Sequence, residues 1–257
     1  MGVVPDKQTV SGNRILLRNQ PFSFACHPDV PCFTRCCHNA DMYLYPYDII
    51  RIKNRLNMSS GAFLEKYTLS AFRDNPHFPN VMLKMSESAP HACPFLTAEG
   101  CSIYEDRPYS CRAYPLEPAM SRGGEGQRMV VFFLSKHTYC LGHDQDRQWS
   151  VRDWILDQKM EPYHEMNSHW VTIDTIFRKN PWGEHGLENQ ALKMAYMACF
   201  NIDKFREFVF ESSFLDRFNI SDNRVDEAKV SDEALMLLGF DWIRFMLTRS
   251  GALTTKP

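Results

Sequence analysis

Apolar residues recur at helical spacing late in the chain and only in short bursts before it. Met166, Trp170, Ile173 and Phe177 stand four, three and four residues apart, and Leu235, Leu238, Trp242 and Met246 keep the same period. That is the period of a helix face turned toward a core, and core packing is a simpler use of it than a ligand groove. Ser150-Val151-Arg152-Asp153 has the form of a capping box, with Trp154 and Ile155 behind it. Four or five helices are expected after Ser150. Upstream, Met42–Tyr45 reads as a brief strand, and Pro46 suits the first turn of a helix running to about Asn57 with Ile49, Ile50, Ile52 and Leu56 on its apolar side. Ser59 is placed to cap a second helix with Phe63, Leu64 and Tyr67 turned inward. Val81–Leu83 and Met129–Leu134 read as strands. The Ser121–Gly126 segment is a flexible turn that matches no phosphate-binding glycine pattern. The expected fold class is mainly α with minor β: an irregular cysteine-rich domain followed by a helical C-terminal region.

Composition narrows the function classes. The chain has 257 residues, 44% hydrophobic and 23% charged, which is ordinary for a globular protein. A formal charge of −2 offers no basic surplus to recommend a nucleic-acid partner. No apolar run approaches the ~20 residues of a membrane helix. Met1–Asp6 lacks a signal-peptide pattern, and Asp6 stands where myristoylation needs Ser or Thr. The expectation is a cytoplasmic protein without a membrane partner. The polar run Gly142–Gln148 reads as a connector between domains 1–145 and 146–257.

Cysteine usage changes the picture more than charge does. Of nine cysteines, eight lie between Cys26 and Cys140: Cys26, Cys32, Cys36, Cys37, Cys93, Cys101, Cys111 and Cys140. Cys199 stands alone in a stretch of helix formers and reads as a small core residue. A disulfide framework belongs to small secreted domains, whereas clustered thiols in a reducing compartment more often bind metal. Thiolates select Zn²⁺, Cu(I) or iron–sulfur clusters, four to a common site, and eight is twice four. Fifteen basic and thirteen acidic residues precede residue 146, so eight thiolates would bring that stretch to −6. A cation removes the repulsion that would otherwise keep the thiols protonated. Arg107 and Arg112 flank Cys111 and could offset residual charge as donors to sulfur, or form ordinary surface ion pairs. His27 and His38, each beside a cysteine, are alternative ligands. Adjacent residues in extended chain face opposite ways, so Cys36 and Cys37 are expected to serve different roles or centres. His164 and His169 imitate a zincin pair, but a spacing of five turns the rings about 140° apart, so they read as structural or solvent-facing.

The segment from Phe24-Ala25-Cys26 through Cys36-Cys37, followed by Tyr45-Pro46-Tyr47-Asp48-Ile49-Ile50-Arg51-Ile52, resembles the opening of the YkgJ-type cysteine-cluster family. Cys93-Pro94-Phe95-Leu96, Cys101-Ser102-Ile103-Tyr104, Arg107-Pro108 and Cys111-Arg112-Ala113-Tyr114-Pro115 resemble that family's second signature. Cys140-Leu141-Gly142 is similar to its closing Cys-Pro-Gly. The first gaps here are five and three residues, where the family usually has two and two. The resemblance covers about residues 14–150. It implies bound zinc or iron, mononuclear or as an iron–sulfur cluster, and a cysteine domain similar to that of flagellin lysine N-methylases.

Three readings follow. The first is a metal-chelating module with a structural or electron-transferring centre. The second is a metal-dependent protein lysine N-methyltransferase, which would use S-adenosylmethionine and a protein substrate. For it the chain supplies no glycine-rich strand-to-helix turn and no obvious catalytic base. The third is a metal or cluster carrier or redox sensor.

Overall fold

The computed structural model describes residues 14–17, 20–72, 74–122, 128–183 and 188–256. Most of the expected Ser121–Gly126 turn and the Met1–Asp6 start lie outside those residues. The strands are β1 (Arg14–Leu17), β2 (Phe22–Ser23), β3 (Tyr43–Leu44), β4 (Thr68–Ala71), β5 (Asn80–Leu83), β6 (Leu96–Thr97), β7 (Gly100–Cys101), β8 (Leu116–Arg122), β9 (Arg128–Ser135), β10 (Gln148–Trp149), β11 (Phe218–Asn219) and β12 (Thr254–Thr255). The α-helices are α1 (Pro46–Arg55), α2 (Ser60–Tyr67), α3 (Tyr109–Ala113), α4 (Val151–Asp157), α5 (Glu161–Phe177), α6 (Gln190–Phe200), α7 (Ile202–Glu211), α8 (Phe214–Arg217), α9 (Asp222–Val230) and α10 (Asp232–Thr248). Helix outweighs strand, as the apolar periodicity requires. No helix among the described residues is long and apolar enough to cross a membrane.

Contacts gather the chain into two compact units that interleave along the sequence. The first comprises the described residues of Met1–Ala40, Met85–Ser102 and Tyr109–Pro162. The second comprises those of Asp41–Lys84, Ile103–Pro108 and Tyr163–Pro257. The single cut near residue 145 drawn from composition therefore differs from the division that contacts make. The polar run after Cys140 is not a loose connector: Leu141–Asp144 is a 3-10 turn with Gly142 buried, and β10 follows it.

The first unit is framed by the antiparallel sheet β1-β9-β8, in which Ile15 and Leu116 both pair with Leu134. β10 pairs with β2, placing Trp149 opposite Phe22. Aromatic rings fill the space behind them. Trp154 meets Phe22, Phe24 and Trp149 edge-on at 6.0, 5.5 and 5.0 Å between centroids. Each buried indole N–H finds a carbonyl, Trp149 at Phe24 (2.8 Å) and Trp154 at Ala113 (3.0 Å). Ser150 caps α4 as expected, its hydroxyl accepting from the Asp153 N–H at 3.1 Å.

The second unit is helical around a small sheet, β3-β5-β4. In α1, Ile49, Ile50 and Ile52 are buried, and the Asp48 carboxylate accepts from the Tyr45 N–H at 2.8 Å. Ser59 caps α2, whose Phe63 is buried while Leu64 and Tyr67 are half-buried. Trp170, Ile173 and Phe177 of α5 are buried, with Met166 half-buried above them. Phe78 stacks on Phe177 at 4.0 Å. Leu235, Leu238 and Trp242 of α10 are buried likewise, and Met246 is half-buried. Among the described residues seven helices follow Ser150, not four or five. Hydrogen-bonding caps at Asn189, Asn201 and Ser231 cut the apolar stretches into shorter helices than their periodicity announces.

Candidate metal centre

All eight clustered cysteines belong to the first unit, and Cys199 to the second. Local structure brings them together in two neighbourhoods. Around the Cys140 turn, the Ala25 N–H donates to the Gly142 carbonyl at 3.0 Å, which clasps the Cys26 segment to the turn. The approach is so close that a Cβ on Gly142 would lie 2.7 Å from both the Ala25 oxygen and the Phe24 ring. The Leu141 N–H donates to Cys32 Sγ at 3.1 Å, and the Cys32 and Cys140 side chains are hydrogen-bonded to each other.

The second neighbourhood starts from the 3-10 turn Arg35–Cys37, entered through Thr34 at φ 64°. The Cys93 N–H donates to the Cys37 carbonyl at 2.7 Å, and His38 bridges to Ala92. The hairpin β6–β7 then carries Cys101 back toward Cys93, with Leu96 paired to Cys101 and Gly100 turning at φ 119°. Cys111 comes from α3. The Cys36 and Cys37 thiols hydrogen-bond to each other. The backbone differs from the extended chain behind the expectation of opposite faces: residues 35–37 are a 3-10 turn, in which neighbouring side chains diverge by about 120°.

Charge follows proximity. The Cys37 thiol donates to Cys36 and holds the Cys36 pKa down to about 7, against desolvation. The same bond, burial and the charges of Cys36, Cys93 and Cys111 push Cys37 far up. Burial, with help from Cys101 and Cys36, raises Cys93, and burial raises Cys140 despite its bond from Tyr114. Cys26, Cys36 and Cys111 are exposed, and Cys32, Cys37, Cys93, Cys101 and Cys140 half-buried. Cys199 is 2% exposed inside α6.

The chemistry of this donor set fits a thiophilic metal: soft sulfur atoms, several of which raise one another's pKa, with three on the surface. The geometry is not closed. Among the described residues no group of three or more His, Cys, Asp or Glu side chains is arranged to hold a metal ion. The alternative histidine ligands turn to other partners, His27 to Asp29 at 3.5 Å and His38 Nδ1 to the Thr34 carbonyl at 3.3 Å. Buried Arg112 donates to the Gln158 carbonyl at the end of α4 (2.6 Å), where a cation suits the helix C-terminus. In the second unit, Arg107 lies 3.8 Å over the Tyr104 ring and donates to the Tyr104 carbonyl. On α5, His164 is half-buried and His169 exposed.

Sequence reasoning missed an aromatic shell around Cys140. Tyr114 is hydrogen-bonded to the Cys140 side chain and lies 3.3 Å from His143 Nε2, and His137 stacks between Tyr114 and Tyr139. Burial lowers the His143 pKa. The only sequence signal was adjacency: Tyr114 follows Cys111 by three residues, while His137 and His143 flank Cys140 by three on either side.

Residues 25–141 match the model of the CxxCxxCC family, described as a putative zinc- or iron-chelating domain. The matched segment contains all eight clustered cysteines. No curated protein and no solved structure matches the chain.

Proposed function

We propose that the first unit holds zinc or iron through the thiolates of Cys26, Cys32, Cys36, Cys37, Cys93, Cys101, Cys111 and Cys140. One observation carries the reading: four separate stretches of chain deliver these eight free cysteines to one compact unit, while the ninth is sealed in an apolar helix. Thiolates crowded in this way destabilise each other, and a bound cation turns that repulsion into ligation. Zinc bound there would crosslink the segments, and iron would add one-electron chemistry.

Anaerobic purification followed by metal analysis and an absorption spectrum tests the reading. Brown protein with visible charge-transfer bands indicates iron, and colourless protein containing zinc indicates zinc. Reduced protein that takes up neither metal on anaerobic titration would end it.

A further inference from the structure

Cys32 and Cys140 lie far apart in sequence and are joined by a backbone bond. The Leu141 N–H donates to Cys32 Sγ at 3.1 Å. A backbone N–H only donates, and sulfur accepts with or without its proton, so the direction of this bond is fixed. Leu141 N belongs to the peptide unit of Cys140, about 2.4 Å from the Cys140 Cα, which puts the Cys32 sulfur no more than about 5.5 Å from that Cα. Two sulfurs on one tetrahedral zinc stand about 3.8 Å apart, a separation within the sweep of the Cys140 side chain about χ1. Both backbones are held. The Cys140 N–H donates to the His137 carbonyl at 2.9 Å, the Ala25 N–H closes on the Gly142 carbonyl at 3.0 Å, and the Cys32 carbonyl accepts from the Arg35 N–H at 3.0 Å.

Cys93 and Cys101 are brought together by a different device. The Cys93 carbonyl accepts from the Leu96 N–H at 3.0 Å, Leu96 pairs with Cys101 across β6–β7, and the Ser102 N–H donates to the Phe95 carbonyl at 2.9 Å. One short hairpin thus carries Cys93 just before its first strand and Cys101 in its second. Among the described residues no three His, Cys, Asp or Glu side chains are arranged to hold one ion, so no preformed cage gathers the two pairs. We propose that Cys32 and Cys140 ligate one metal ion and that Cys93 and Cys101 ligate another. This rests on the reading that the clustered cysteines bind metal, and it divides them. The first ion ties the Cys32 loop to the Cys140 turn, and the second closes the β6–β7 hairpin.

Zinc is the probe. A thiolate is shielded from iodoacetamide while its ion stays bound, so losing one ligand should expose the thiols that share that ion and no others. Zinc-loaded wild type, Cys32→Ser and Cys93→Ser are alkylated, and the rate at each cysteine is read by mass spectrometry. Cys32→Ser should speed alkylation of Cys140 at least about tenfold, the low end of what even an outer partner of a ligand is worth, and leave Cys93 and Cys101 at their wild-type rates. Cys93→Ser should expose Cys101 and leave Cys32 and Cys140 shielded. An unchanged Cys140 rate in Cys32→Ser overturns the inference, and so does equal acceleration at Cys140, Cys93 and Cys101, which marks one shared cluster. Should the variants fail to fold, wild type at limiting zinc carries the test, with labels located by fragmenting the intact chain. Cys32 and Cys140 should then be labelled together or shielded together in each molecule, independently of Cys93 and Cys101. Labelling of Cys32 without regard to Cys140, or in step with all four, overturns the division. Wild type whose eight cysteines gain no shielding from zinc overturns the zinc form of the metal reading, and this inference with it.

Discussion

Gly142 shows how much a single residue contributes to the site. Its missing side chain lets the Cys140 turn close on Ala25 and Phe24, and through Ala25 on the segment that carries Cys26. Gly142→Ala should therefore cost about 1–3 kcal/mol, the usual penalty for overpacking. The urea midpoint should fall at unchanged m-value, and an unaltered midpoint would show that the turn yields freely. Cys199 and Cys140 make the opposite pair. Cys199 is sealed in α6, and burial together with the Asp174 charge pushes its thiol well above the ordinary range. Cys199→Ala should leave metal content intact and cost ~1 kcal/mol in packing. Cys140→Ala should lower metal occupancy, as read by metal analysis of the two purified variants. Occupancy that falls with Cys199 and holds with Cys140 would break the proposed ligand set.

At the scale of elements, apolar spacing and cap residues were legible because both are local. Pro46 opens α1, Ser59 caps α2, Ser150 caps α4, and the Trp170–Phe177 and Leu235–Trp242 stripes are buried where periodicity put them. What spacing could not show is how α1, α7 and α10 are tied. Lys53, 5% exposed at the end of α1, reaches Asp232 at 2.9 Å and Asp203 at 3.3 Å, while Arg206 of α7 reaches Asp232 at 2.7 Å. Burial alone would raise the Asp232 pKa, but hydrogen bonds from Lys53 and Arg206 outweigh it and hold the group below its ordinary value. A depressed folded-state pKa contributes stability that is present above the unfolded value of about 4 and lost as pH falls through the folded one. Asp232→Asn should thus cost ~2 kcal/mol at pH 7 and progressively less below pH 4. Denaturation of wild type and variant across pH 2–7 measures it, and a difference independent of pH would show that the charge is not what matters.

For the whole molecule, metal removal should act unevenly. The first unit combines short strands and long loops with eight thiols, whereas the second has continuous apolar helix faces of its own. Metal binding at structural thiolate sites can contribute on the order of 10 kcal/mol to folding. Reduced protein treated with chelator should lose hydrogen-exchange protection in residues 85–102 and 128–162 while α6 and α10 keep theirs. Equal protection with and without metal would show that the unit stands without it. By itself the sequence determined the helical balance, the helix caps, the burial of Cys199 and the grouping of eight cysteines. These depend on nearest neighbours, on periodicity and on residue type. Tertiary structure alone decided that residues 103–108 part company with the cysteines on either side of them. It also decided that Cys36 and Cys37 stand in a 3-10 turn and not in extended chain, and that Tyr114 and His143 meet. Each of those outcomes depends on contacts between residues far apart in the chain or on the local backbone twist of an irregular turn, and neither leaves a periodic trace in the order of amino acids.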